Sequence, residues 1–315
     1  MATGLREDEA AMIRSRLVLN FPGFEKTAAE RQLDRIRHCA GKTGEVWKFA
    51  FDRKSLEQEA GASHAVSESV TRGANWEVAT RIVQFSWHDI IHEYESAPHP
   101  QAFMANMPKF LAFFGDGTVW RYWKASPRYF AFTIFPLLLL AIFAILGAAA
   151  AWLVLGSWLS GVALWLTTAV ATVVLVLALS RWPGERFYLL LTINDWGFAR
   201  DMVNRSNPTI ERRYDAFAGK LAEEIRASRH DEIVISGHSF GSVWAVMALA
   251  GALREDPALL ANRKVCFLAL GSSLLKIALA PGAGWMREAV GRVLAEPGLF
   301  WHEIQTKDDI IAFYK

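Results

Sequence analysis

An α/β fold carrying an inserted two-helix membrane hairpin is what this sequence predicts, on three observations. The stretch between Arg128 and Arg181 contains no Asp, Glu, Lys or Arg, a longer uncharged run than a soluble core needs. On either side of it, short β-rich runs alternate with runs of helical period, the pattern of a mostly parallel sheet flanked by helices. One of the later runs, DEIVIS at 231–236, passes directly into a Gly-Xaa-Ser-Xaa-Gly turn and then into an apolar helix. The expected organisation is one α/β domain in two halves, residues 1–128 and 181–315, with the hairpin at 129–180 between them.

Composition narrows the function classes. Lys+Arg number 34 and Asp+Glu 32, a net charge of +2, which excludes a nucleic-acid binder working through bulk positive charge. Hydrophobic residues make up 52% and charged residues 21%, too apolar for a disordered chain. The two cysteines, Cys39 and Cys266, are too few for a disulfide framework and read as reduced structural thiols. The first residues are polar and charged (Arg6, Glu7, Asp8, Glu9) and lack the apolar stretch of a secretory signal. With the cysteine count, this favours a cytoplasmic location for the part outside the membrane.

Taken in order, residues 16–21 (RLVLNF) form a short apolar strand that Pro22-Gly23 stops. Thr27 to Glu30 has the spacing of a capping box. Ala29, Leu33, Ile36 and Ala40 then share a helical face, and the glycines of 41–44 end that helix. Alternation at 46–51 (VWKFAF) and the run 81–85 (RIVQF) read as strands. The apolar segments 130–155 and 158–180 are ~39 Å and ~34 Å long as helices, enough for a ~30 Å hydrocarbon core. Gly156 and Ser157 turn the chain between them. Arg121, Lys124 and Arg128 precede the pair, and Arg181 and Arg186 follow it. The positive-inside rule then puts both termini in the cytoplasm of a two-span integral membrane protein. Trp120, Tyr122, Trp123, Tyr129 and Phe130 among those cations read as an interfacial belt with anionic-lipid contacts. No ionisable residue lies inside either span, so the pair reads as an anchor in the lipid bilayer rather than a proton or ion path.

Past the hairpin, 187–203 reads as a juxtamembrane helix, with a strand at 187–193 as the alternative. Ile210, Tyr214, Phe217, Leu221 and Ile225 share one face of a helix over 210–227. Residues 231–236 are a buried strand, and 240–253 is apolar all round, as in a helix packed under other elements. Runs 264–270 (KVCFLAL) and 300–306 are the last strands.

The chemistry rests on Gly237-His238-Ser239-Phe240-Gly241. A strand that turns at once into a helix exposes the central Ser hydroxyl on a strained backbone, and side chains at the two glycines would collide across the turn. On these residues and the element order, the chain resembles the α/β-hydrolase fold family. The resemblance implies a serine esterase, lipase or thioesterase in which Ser239 attacks an acyl carbonyl, and the hairpin would anchor it in the membrane. It gives the Phe240 amide to the oxyanion, with a second amide from the loop 20–24, either Gly23 or Phe24, since Pro22 has no N–H. The family's usual His-Gly pair in that loop is Pro22-Gly23 here. The family's acid would be Asp309, with Asp308 as the alternative. Its histidine follows the acid, yet Lys315 is reached without one. His302, ahead of the acids, is the remaining histidine beyond the turn, since His238 is structural in such turns. Three expectations stand open. The favoured one is a truncated sequence whose last strand, helix and histidine lie past Lys315. Otherwise the base comes from elsewhere in the chain, or the protein is a non-catalytic hydrolase-fold membrane or scaffold protein.

His88-Asp89-Ile90-Ile91-His92 supplies a further alternative. Two imidazoles at i, i+4 have the spacing of a zinc hydrolase with Asp in place of Glu, although Pro98 and Pro100 separate His99, the candidate third ligand, from that helix. Gly41-Lys42-Thr43 is not a phosphate loop, because Ile36 stands where the pattern needs glycine. The sequence therefore predicts no cofactor and no metal, and as partners the bilayer and an apolar acyl substrate rather than nucleic acid.

Overall fold

The computed structural model describes residues 12–58, 61–309 and 311–313. Arg6, Glu7, Asp8, Glu9 and Ile310 lie outside these. The chain divides into two compact units. The first comprises the described residues of Met1–His88, Arg212–Ser272 and Trp285–Ile304; the second, those of Asp89–Glu211, Ser273–Gly284 and Gln305–Lys315.

The first unit is an α/β body with the mostly parallel sheet that the fold class predicts. Its strands are β1 (Ser15–Phe21), β2 (Ala50–Glu57), β3 (His64–Arg72), β4 (Glu77–Phe85), β5 (Glu232–His238), β6 (Val265–Leu270) and β7 (Leu299–Ile304). They form one mixed sheet in the order β2-β3-β4-β1-β5-β6-β7. Pairing is parallel from β4 through β1, β5 and β6 to β7, and antiparallel across β2, β3 and β4. The antiparallel corner departs from the expected strand–helix–strand opening. Its connections are too short for a crossover and close as hairpins instead; in one, the Gly73 amide donates to the Trp76 carbonyl at 2.9 Å.

Helices α1 (Ala29–Trp47), α8 (Pro208–Ala227), α9 (Phe240–Glu255) and α11 (Gly284–Leu294) accompany this sheet. Leu17, Leu19 and Phe21 alternate onto one face of β1. There Phe21 stacks on Phe85 at 4.2 Å and meets Phe217 of α8 edge-on at 5.6 Å. Val18 on the opposite face joins Ala29, Leu33, Ala65 and Ile82 under α1.

Two local expectations fail at α1. The capping box does not form: Ala28 is the N-cap, without a side-chain bond, and Gln32 instead donates to the Thr27 carbonyl at 2.8 Å. Nor do the glycines at 41 and 44 end the helix. It runs on through Trp47, stops at left-handed Lys48, and β2 begins only at Ala50. Gly44 serves a close approach, since a side chain there would come within 2.3 Å of the Phe49 carbonyl oxygen.

The second unit is helical, with α2 (His88–Glu95) starting at the junction, then α3 (His99–Gly115), α4 (Thr118–Ala125), α5 (Pro127–Leu155), α6 (Gly161–Arg181), α7 (Leu189–Asn204) and α10 (Leu274–Ala278). Helices α5 and α6 are long and apolar enough to cross a membrane. Ser126 caps α5, accepting from the Tyr129 amide at 3.3 Å, and Pro127 occupies its first turn. The reversal between the two helices spans residues 156–160, longer than the two-residue turn expected. Leu139 and Phe143 of α5 pack with Leu189 and Ile193 of α7, whereas Ile145, Leu153, Val162 and Trp165 stand exposed. Around α7 the unit buries charge: Lys276 is bonded to Asp195 and lies 4.0 Å over the Trp196 ring. Burial pushes the Lys276 ammonium below, and the Asp195 carboxyl above, their ordinary values.

Candidate active site

β5 is a central strand, held in parallel by β1 and β6, and the chain reverses from it into α9 within a single residue. That residue is Ser239, at φ 54° and ψ −120°. The turn is closed from three sides. The Ser239 amide donates to the Leu270 carbonyl of β6 at 2.9 Å, the Ser242 amide to the Ser239 carbonyl at 3.1 Å, and the Ser242 hydroxyl to the Gly237 carbonyl at 2.8 Å. Both glycines of the motif sit where backbone crosses backbone. A Cβ at Gly237 would lie 2.5 Å from Ser242 Cα, and one at Gly241 would lie 2.0 Å from the Phe21 carbonyl oxygen. Ser239 itself is half-buried and His238 exposed.

The loop after β1 lies beside this turn. A Cβ at Gly23 would come 3.3 Å from Ser239 Cβ and 2.9 Å from His238 Nδ1, so glycine lets the loop approach the serine closely. Phe24 is half-buried, with its ring 5.7 Å from Trp87 and 6.1 Å from Phe240. Ser239, Phe240, Gly23 and Phe24 therefore come together in the first unit.

Beneath the loop runs a polar chain that the sequence reading did not identify. Ser236 donates to Asn20 at 2.6 Å, Asn20 to Gln84 at 2.7 Å, and Gln84 to Gln32 at 2.8 Å. Asn20 is in register with both Gln84 and Ser236, so β4, β1 and β5 present one row toward α1. The row then reaches the loop through the bonds of Gln32 to Thr27 and Glu25.

The remaining candidates are placed differently. In register, Ser236 of β5 pairs Leu268 of β6, which pairs His302 of β7. His302 is thus two strands over, about 10 Å at the usual spacing, and its exposed ring sits edge-on to Phe300 at 4.4 Å. That separation does not allow a hydrogen bond to Ser239. Asp308 and Asp309 belong to the second unit. There Asp309 accepts from the Ile311 amide at 2.9 Å, and their segment is fastened by Phe313 stacked on Tyr129 at 3.8 Å and by Arg128 donating to the Lys307 carbonyl at 2.8 Å.

His88 and His92 do fall on one helix, α2, and His88 Nδ1 lies 2.7 Å from the Ser86 hydroxyl. His99 starts the next helix. Among the described residues, no three His, Cys, Asp or Glu side chains gather as a metal ion would require. A separate cavity lined by Arg16, Trp47, Phe49 and Trp76 opens where β1 begins, at the other end of the strand from the Gly23 loop. Cys39 is exposed and Cys266 half-buried, both as free thiols, and burial raises the Cys266 pKa.

No protein-family profile, no curated protein and no solved structure matches this chain.

Proposed function

We propose that this chain is a membrane-anchored serine hydrolase of the α/β-hydrolase kind, cleaving an ester or thioester of an apolar acyl group. The observation that carries the reading is the backbone of Ser239, a non-glycine residue at φ 54° and ψ −120° between a central parallel strand and a helix, with the Gly23 loop against it. Such strain persists at functional sites because the surroundings enforce it.

In the proposed reaction, Ser239 Oγ attacks the acyl carbonyl while its proton passes to a base. The charge that develops on the carbonyl oxygen meets the Phe240 amide, at the positive end of α9, and the amide of Gly23 or Phe24. The base returns its proton to the departing alcohol or thiol, and water then releases the acid from the acyl-enzyme. The base this scheme needs is an imidazole oriented by Asp309 or Asp308. Helices α5 and α6 anchor the chain in a bilayer with both flanks cytoplasmic, which brings the site near lipid-soluble acyl compounds.

One observation favours a second reading, a hydrolase-fold protein without catalysis: the candidate base His302 lies two strands from Ser239. A fluorophosphonate probe separates the readings. Covalent labelling of the full chain that disappears in Ser239→Ala supports the hydrolase. Absence of labelling supports the non-catalytic protein. Hydrolysis that survives Ser239→Ala and is lost to a chelator would move the chemistry to His88 and His92.

A further inference from the structure

The peptide linking Pro22 to Gly23 is gripped from one side. Trp87 is fully buried, and its indole Nε1–H donates to the Pro22 carbonyl at 3.0 Å. The same carbonyl oxygen is packed against Gly241 in the first turn of α9, where a Cβ would lie 2.7 Å from it. A trans peptide is planar, with its C=O and N–H on opposite sides. Whatever fixes the Pro22 carbonyl therefore fixes the direction of the Gly23 amide. We propose that Trp87 is a positioning residue: its indole turns the Gly23 N–H away from the aromatic core and toward Ser239, making Gly23, rather than Phe24, the second oxyanion donor. This rests on the serine-hydrolase reading and deepens it.

Three features converge on that assignment. A flipped peptide would turn the Gly23 N–H toward the Trp87 indole, whose ring packs 6.4 Å from Phe240 and 5.7 Å from Trp244, and would strip the indole of its acceptor. Accepting a hydrogen bond at the carbonyl also polarises the amide, so its N–H becomes a stronger donor. The far end of the loop is held separately, by Gln32 on Thr27 and by Arg35 on Glu25 at 2.6 Å and 2.8 Å. Removing the indole bond therefore frees the Pro22–Gly23 peptide while the rest of the loop stays tied.

The test compares Trp87→Phe, which keeps an aromatic ring and loses the donor, with Trp244→Phe, which trims an indole from the same cluster without touching Pro22. Two readouts are needed. The first is hydrolysis of p-nitrophenyl butyrate. Trp87→Phe is expected to lower kcat by about 10²-fold, the usual effect of losing one oxyanion donor, with KM changed less than about twofold, whereas Trp244→Phe keeps kcat within about threefold. The second needs no catalysis. The chain has four Pro-Gly pairs, at Pro22, Pro183, Pro281 and Pro297, so protein labelled with carbonyl-13C proline and 15N glycine gives one amide–carbonyl correlation for each. The Pro22–Gly23 signal is expected to move in Trp87→Phe and to stay in Trp244→Phe. Equal kcat in the two variants, or an unmoved Pro22–Gly23 signal, overturns the proposal. If the wild-type chain neither hydrolyses the ester nor takes up the phosphonate, the hydrolase reading is what fails, and the Pro22–Gly23 signal alone decides whether Trp87 orients that peptide.

Discussion

Five non-glycine residues among those described have positive φ: Lys48, Tyr188, Arg205, Ser239 and Asn262. Lys48, Tyr188 and Arg205 are helix caps with ψ between 29° and 47°, inside the left-handed basin that helix ends commonly use. Ser239, at ψ −120°, lies outside it, where only glycine is at ease. Holding a serine there costs about 1–3 kcal/mol, and the surrounding bonds to Leu270 and Ser242 supply the constraint. The strain makes a prediction independent of catalysis. Ser239→Gly should be more stable than Ser239→Ala by about 1 kcal/mol, because glycine relieves the backbone and alanine does not. Thermal unfolding of the two variants measures this directly, and a glycine variant that melts no higher than the alanine variant would remove strain as the argument for a built serine site. The neighbouring Gly241→Ala should go the other way. Its Cβ meets the Phe21 carbonyl at 2.0 Å, main chain that cannot swing aside, so a loss of about 2–4 kcal/mol is expected, read as a lowered unfolding midpoint.

At the scale of elements, α8 is joined to the sheet by charge as well as by Phe217. Arg81 of β4 donates to Glu224 at 3.2 Å and 3.3 Å, and Lys220 lies 3.0 Å from the same carboxylate. Burial works against ionising Glu224, but the bonds from Arg81 and Lys220 outweigh it and hold the carboxyl below its usual range. A carboxyl depressed in the fold adds stability above its unfolded pKa, and that stability is lost as pH falls through the folded value. Wild type should therefore exceed Glu224→Gln by about 1–3 kcal/mol at neutral pH. The gap should begin to close as pH falls below the ordinary carboxyl value of 4.5 and vanish once it passes the lower folded value, and a gap that stays constant with pH would show that the ion pair is not its source. This pair illustrates what the sequence does and does not disclose. The helix 210–227 was legible from its apolar face, and the strand 232–238 with its Ser turn from a β-rich run, two glycines and an apolar helix in immediate succession. Local order suffices for such features. The strand at 64–72 escaped because Ser67 and Ser69, though both 2% exposed, read as a solvent face. The row of Ser236, Asn20, Gln84 and Gln32 escaped for a related reason: its members are 216, 64 and 52 residues apart, and only the register of three strands brings them together. Trp87 gave no signal for the same cause, being 65 residues from the carbonyl it holds.

For the whole molecule, the central question is which way the hairpin faces. Its exposed apolar surface belongs to side chains such as Ile145 at 68%, Leu153 at 76%, Val162 at 73% and Trp165 at 66%, which in water would be a large uncompensated cost. Helix α5, with 29 residues, is ~43 Å long, and α6, with 21, is ~31 Å, against a hydrocarbon core of ~30 Å. The extra length of α5 lies at its start, where Tyr129 and Thr133 are buried in protein, so the exposed apolar portions of the two helices are nearly matched in length. Cations flank the pair at Arg121, Lys124, Arg128, Arg181 and Arg186, and the reversal at 156–160 has none. Moving five cations across a bilayer is far costlier than moving Gly156, Ser157, Trp158, Leu159 and Ser160, so the reversal should be the translocated end. The native thiols provide the control. Cys39 is exposed on α1, and a thiol at the reversal is supplied by Ser157→Cys, where the native hydroxyl donates to the Val154 carbonyl of its own turn. A membrane-impermeant maleimide applied to intact cells should modify Ser157→Cys and spare Cys39, and permeabilisation should then expose Cys39. Modification of Cys39 in intact cells, with Ser157→Cys protected, would invert the topology. Modification of both without permeabilisation would mean that the hairpin does not cross the bilayer.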